Sequence, residues 1–313
     1  MTKRFWQWLV LTNFKVMSRL PRSFVHAWTV GLVALSWRFI KRYRVMADKN
    51  LKIAYGDRMT AAERNELTRR VFRHFAHAIS DFLKAPSMTP EQVKALVKVD
   101  SFAPMDDLLA RGKGLIFITA HIGNWELLAR RAAIHGTHIT VVARQGDDPA
   151  FNALTDHIRE SGGYSVHPRG DSPRALLKVL RSNAVIGILP DQKSDDVFVP
   201  FFGQLAGTVA GPAVLALKTG AAILPVFCIR QPDGTYQTIH LPEIDTHSTD
   251  NQEADIWRIT ADITAAVESI VRQYPDQWLW LHDRWKMPPP EIMPKFEEKL
   301  HFAQEAAAAA PTR

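Results

Sequence analysis

At 313 residues, 46% hydrophobic and 23% charged, the chain has the composition of a folded, largely soluble protein with a sizeable core, arranged as one large domain or two small ones. The formal charge of +7 is concentrated: residues 1–47 hold nine Lys and Arg and no acid, leaving 30 basic against 32 acidic residues on the body, where a nucleic-acid-binding protein would more naturally carry its basic excess. The single cysteine, Cys228, excludes an intrachain disulfide, and its apolar neighbours from Ala222 to Ile229 mark it as a core residue.

In residues 1–47 the basic side chains are interleaved with Phe5, Trp6, Trp8, Phe14, Trp28, Leu32, Leu35, Trp37 and Phe39. That mixture suits a bilayer interface, where indole rings sit at headgroup level and cations meet anionic lipid. The longest charge-free stretch, Ser23 to Trp37, has 15 residues and includes His26, short of the ~20 needed for a span. The expectation is a membrane-associating helical segment over 1–47 that lies in the interface or inserts shallowly. A single span, lengthened by snorkelling of Arg22 and Arg38, is the alternative. Bulky Trp and Phe early in the chain, with no small-x-small site after an apolar core, argue against a cleaved signal peptide. Flanking positive charge would keep the rest of the chain on the cytoplasmic face of the membrane.

Residues 48–300 read as one domain and 301–313 as an Ala-rich tail expected to fray. Thr60 to Lys84 has helical spacing of Leu67, Val71, Phe75, Ile79 and Phe82, and Thr89-Pro90-Glu91 opens another helix. His74, His77 and Asp81 share a face of the first. They lack a third strong metal ligand, and a half-exposed polar stripe explains them equally well. From Gly114 the chain alternates: strand 114–120, helix 124–136, strand 138–144, helix 149–161, strand 163–167, helix 172–182, strand 184–190, helix 207–219 and strand 222–229. A strand near 236–241 and a long helix near 253–273 follow. This is an α/β pattern with a largely parallel sheet flanked by helices.

The chemistry concentrates after the first of these strands, in His121-Ile-Gly-Asn-Trp-Glu126. On a continuous helix, residues five apart lie about 140° apart around the axis and cannot cooperate. With Asn124 as N-cap, His121 instead occupies the strand-to-helix turn, and Glu126 in the first helical turn is expected to reach back and orient the imidazole as a general base. From spacing alone the turn reads equally as a capped helix start with a buried histidine. Backbone N–H groups near Gly123 and Asn124 would face developing negative charge. Arg144, Arg169 and Asp191 also lie at strand ends, where open α/β sheets collect ligands. Together with His121 they suggest a crevice for an anionic partner, although Arg144 or Arg169 alone reads equally as a solvated loop residue. The chain has no Gly-x-Ser-x-Gly elbow, no Gly-x-x-x-x-Gly-Lys-Ser/Thr loop and no Gly-x-Gly-x-x-Gly after a strand.

The His-x-x-x-x-Glu motif at the end of an apolar strand resembles that of the lysophospholipid acyltransferase superfamily. Four blocks narrow the likeness: His121 to Glu126, Asp191-Gln192, Val199-Pro-Phe-Phe-Gly203, and Pro275-Asp-Gln-Trp-Leu-Trp-Leu-His-Asp-Arg-Trp-Lys286. In this order they are similar to the bacterial lipid A late acyltransferases, the lauroyl/myristoyl transferase family, over about residues 50–286. The Phe-Pro-Glu-Gly-Thr-Arg block of glycerol-phosphate acyltransferases is absent, which argues against the phosphatidic-acid-forming branch.

The resemblance implies a glycerolipid-acyltransferase-like fold, catalytic His121 and Glu126, a glycolipid acceptor, and acyl carrier protein or CoA as thioester donor, with no cofactor or metal. It places Arg159 against substrate phosphate or the oxyanion. It also places Asp191, with Gln192, in substrate binding, where the carboxylate would orient an arginine or hydrogen-bond the sugar. Trp278, Trp280 and Trp285 read as packing residues, with a lipid-facing role as the alternative.

Overall fold

The computed structural model describes residue 12 and residues 16–143, 146, 148–168, 170, 173–287 and 293–309. Helices α1 (Arg22–Ser36), α2 (Lys41–Tyr55), α3 (Ala61–Lys84) and α4 (Pro90–Leu96) lead into β1 (Val97–Lys98), α5 (Ala103–Leu109) and β2 (Leu115–Ile118). There follow α6 (Trp125–Ile134), β3 (Ile139–Ala143), α7 (Pro149–Glu160), β4 (Ser165–Pro168), α8 (Pro173–Arg181) and β5 (Val185–Ile188). The chain continues through β6 (Val197–Phe201), β7 (Gln204–Thr208), α9 (Gly211–Thr219), β8 (Ala222–Arg230), β9 (Tyr236–His240), α10 (Gln252–Gln273) and α11 (Glu297–Ala309). Threonine capping boxes start two of the early helices: Thr60 with Glu63 at α3 and Thr89 with Gln92 at α4.

Seven strands form one sheet in the order β1-β9-β8-β2-β5-β3-β4, parallel throughout except for β8 against β9. Strand alternation divides its apolar residues between two layers. Ile116, Ile118, Ile186 and Ile223 pack toward α2, α3 and α10, with Leu51, Val71, Ile263 and Val267 in the same cluster. Leu115, Phe117, Val185 and Cys228 face the other way, toward Leu108, Leu127 and Leu128. Cys228 is buried in that layer, and burial pushes its thiol well above the usual range.

The expected α/β alternation is present, with one substitution. Residues 204–208, expected to begin a helix at 207, form β7, antiparallel to β6, and the helix starts only at Gly211 with Pro212 in its first turn. Tertiary pairing overrides local pattern here. Ser194 N–H donates to Gly207 O at 3.1 Å, and a Cβ at Gly207 would lie 2.1 Å from Ser194 O. Phe202 and Gly203 close the hairpin at φ +53° and +73°, the signs that a two-residue type I′ turn requires.

The tail also departs from expectation, since residues 301–309 are helical in α11 and Ala303 is fully buried beside Trp257. No single helix among the described residues is long and apolar enough to cross a membrane; α1 and the helical stretch after it meet at 90°. The His74/His77/Asp81 stripe is not the half-exposed face expected of it. Asp81 has no exposed surface and His74 is buried. Asp81 receives Arg22 at 2.6 and 2.8 Å, His26 Nε2 at 2.7 Å and the Tyr236 hydroxyl at 2.8 Å.

Candidate active site

His121 and Asp191 follow the carboxyl ends of β2 and β5, which pair in parallel register from Leu115↔Val185 to Ile118↔Ile188. Residues 70 positions apart in sequence therefore emerge side by side. Asp191, almost fully buried, accepts the His121 backbone N–H on Oδ2 at 2.8 Å and the Trp278 indole N–H on the same oxygen at 2.9 Å. Its Oδ1 lies 2.8 Å from His121 Nδ1. Burial by itself would raise the Asp191 pKa, but the charge of His121 and these hydrogen bonds outweigh it and hold the carboxyl below its ordinary value. An ionised carboxylate only accepts, so Nδ1 carries a proton, and it is the neutral form of the ring that presents a lone pair on Nε2. Gln192 Nε2 lies 3.3 Å from that nitrogen, and the Trp125 ring stands edge-on at 5.0 Å.

The turn bearing His121 is clamped on both sides. Gly123 has φ +59°, and a Cβ there would lie 1.9 Å from Cys228 O, so β8 permits only glycine. Asn124 caps α6 through Oδ1 to Leu127 N–H at 3.1 Å. Both backbone donors expected to face an oxyanion are committed: Gly123 N–H to Gln277 O at 3.1 Å and Asn124 N–H to Cys228 O at 2.8 Å. Leu279 N–H in turn reaches His121 O at 2.9 Å.

Glu126 stands elsewhere than expected. Its carboxylate takes the Arg159 guanidinium, with Nη2 to Oε1 at 2.6 Å and Nε to both oxygens at 3.1–3.2 Å, and accepts the Tyr164 hydroxyl at 3.0 Å. The carboxylate on His121 Nδ1 is that of Asp191. The reason is topological: β5 delivers Asp191 onto the imidazole, while the first turn of α6 aims Glu126 at α7. Arg159, expected on a substrate phosphate or oxyanion, is spent on Glu126, and the pair raises the guanidinium pKa against the opposing effect of burial. Asp191, expected on an arginine or sugar, holds the histidine. Arg144 and Arg169 lie outside the described residues.

His121, Glu126, Arg159 and Gln192 border a cavity of about 350 Å³. These four are half-buried, and the walls are also made by Phe117, Leu128, Ala129, Ile139 and Gly187, all buried, with Val141. A polar entrance over an apolar interior suits a ligand with a reactive head and a hydrocarbon tail.

The sequence reading missed the role of the C-terminal block. Besides Trp278, buried Asn50 donates to Trp280 O and His282 O at 2.7 and 2.6 Å. His282 Nε2 accepts the Lys193 N–H at 2.8 Å, next to Gln192. Arg284 is buried, pushed down by burial to about 10, and donates to Gly207 O and Thr208 Oγ1, both at 2.6 Å. The alternation Gln277-Trp278-Leu279-Trp280-Leu281-His282 was the available signal, with polar or indole groups at every second position.

A family model described as bacterial lipid A biosynthesis acyltransferase matches residues 1–287. The lipid A biosynthesis lauroyltransferase of Escherichia coli (strain K12) is 26% identical over 299 residues, 94% of this chain and 95% of the relative. The myristoyltransferase of the same strain is 23% identical over 304 residues, 95% and 93%. A phosphatidylinositol mannoside acyltransferase of Mycolicibacterium smegmatis is 28% identical over 228 residues, 71% and 73%.

Proposed function

Since the chain belongs to the bacterial lipid A biosynthesis acyltransferase family, we propose that it moves a fatty acyl group from an acyl thioester, on acyl carrier protein or CoA, to a hydroxyl of a lipid A precursor. The observation that carries this reading is the buried Asp191 carboxylate fixing His121 at the mouth of an apolar cavity. His121 Nε2 takes the acceptor hydroxyl proton as the oxygen attacks the thioester carbon, and Asp191 stabilises the imidazolium. The acyl chain lies in the cavity that Phe117 and Val141 line. Glu126 acts on the mouth indirectly, by holding Arg159.

The N-terminal helix supports docking on an anionic bilayer at the cytoplasmic face of the inner membrane. Phe24, Trp28, Leu32 and Leu35 recur on one side of α1, each about half exposed or more, and Arg38, Lys41 and Arg42 beside them are exposed. The 90° bend after α1 favours interfacial binding over a span.

A second acceptor, a phosphatidylinositol mannoside, is favoured by the identity to the mycolicibacterial relative, 28% over 71% of this chain. Mass spectrometry of lipids from a deletion strain and its parent separates the two, because the lipid that loses one acyl mass is the acceptor. Acceptor-dependent thiol release by the purified protein is the matching test in vitro. No release by folded protein would leave a membrane-anchored binding protein of this fold.

A further inference from the structure

Acyl transfer needs donors for the oxyanion, and the expected ones at Gly123 and Asn124 are engaged elsewhere. The Arg159 fork is likewise taken, by Glu126. Thr119 and Gln192, both on the cavity and both within reach of the row that holds His121, are donors that remain. Thr119 is 5% exposed and lines the cavity, and its Oγ1 has no hydrogen-bond partner among the described residues. Strand alternation sets Phe117, Thr119 and His121 in a row along one face of β2 and its extension, so Thr119 stands between the histidine and the apolar interior. A buried hydroxyl left unpaired in a protein calls for an explanation, and a ligand atom is one. Gln192, which lines the same cavity, carries two N–H groups on Nε2, one of which faces His121 Nε2 at 3.3 Å.

We propose that the Thr119 hydroxyl and the Gln192 amide form the oxyanion site for the thioester carbonyl, an assignment that rests on the acyl-transfer reading above. The acceptor oxygen bonds to the carbonyl carbon and its proton passes to His121 Nε2. The carbonyl π electrons move onto oxygen, which accepts from Thr119 Oγ1–H and Gln192 Nε2–H. On collapse the C=O re-forms, the C–S bond breaks, and the departing thiolate takes the proton from His121. Thr119 then marks the throat where the acyl chain turns from the reacting carbon into the cavity.

The test compares full-length wild type with Thr119→Val, Thr119→Ser, Gln192→Leu and His121→Ala, using dodecanoyl-acyl carrier protein and a lipid A precursor in mixed micelles. Valine keeps the shape of threonine without the hydroxyl, while serine keeps the hydroxyl without the methyl. Thr119→Val and Gln192→Leu are expected to lower kcat by ~10²-fold, with KM little changed. Thr119→Ser should keep most of the activity, and the acid limb of the pH profile, which reports His121, should stay in place. Wild-type kcat in Thr119→Val beside an inactive His121→Ala would overturn the oxyanion assignment alone. So would equal losses in Thr119→Val and Thr119→Ser, or a shifted acid limb in Thr119→Val. Near-normal transfer by folded His121→Ala would bring down the acyl-transfer reading, and the oxyanion assignment with it.

Discussion

Three donors converge on the Asp191 carboxylate, and two of them come from His121 itself, so the residue fixes both the backbone and the tautomer of the proposed base. His121→Ala is expected to lower turnover by ~10²–10⁴ with the circular dichroism of the wild type. Asp191→Asn, which can present an amide N–H to Nδ1, should fall nearly as far. Glu126→Gln should lose less, because its partners are Arg159 and Tyr164 and not the imidazole. Turnover of the three folded variants checks the order, and a Glu126→Gln loss greater than that of Asp191→Asn would return the orienting role to Glu126. Gly123 is the least replaceable residue of the turn, since its positive φ and the 1.9 Å approach to Cys228 O forbid any side chain.

At the scale of the element, α1 is both an exposed apolar face and a structural partner of α3. Asp81 on α3 is held down to about 2: burial would raise it, but hydrogen bonds from Arg22 and His26 prevail. Removing α1 would leave that carboxylate buried with only Tyr236 as a partner among those named, so a truncation mixes unfolding with loss of membrane contact. Arg22→Ala alone should cost ~3 kcal/mol in urea unfolding. Docking is better tested by Trp28→Glu with Leu32→Glu, which should reduce flotation with anionic liposomes while leaving the melting temperature nearly unchanged. Helix α3 also confers a pH response, through His74, which lies 3.0 Å from Gly123 O. His74 is lowered from 6.5 to about 4, chiefly by burial, so the unfolded chain takes up a proton in that interval that the folded protein does not. Its contribution is complete above pH 6.5 and is lost as the pH falls to 4, on the order of 3 kcal/mol. Melting curves at pH 7 and 4.5 should show the loss, and His74→Gln should lessen it, leaving the part due to His77, which burial also lowers to about 4.

Across the whole molecule, the sheet carries both the site and the cavity behind it. Phe117 on β2 and Leu128 on α6 also border a smaller apolar cavity beside Met105, Leu224 and Val226, so they form the wall between the two. Phe117→Ala is expected to join the cavities and move the preferred donor toward longer acyl chains, at a stability cost of ~3 kcal/mol. Acyl-chain competition read by mass spectrometry checks it. Much of this architecture was legible in the chain itself. The β-branched run before His121, the cap at Asn124 and the regular alternation of elements are local signals, and local signals specify strands, helices and the turn between them. So was the presence of a histidine at a strand end. What only the tertiary structure decided is which carboxylate the histidine meets. Strand order sets β5 beside β2, so Asp191 reaches Nδ1 across 70 residues while Glu126, five residues away, turns to Arg159. The β6–β7 hairpin, the buried latch at Asp81 and the role of Trp278 belong to the same class, because each depends on pairing between segments far apart in sequence, which no local pattern encodes.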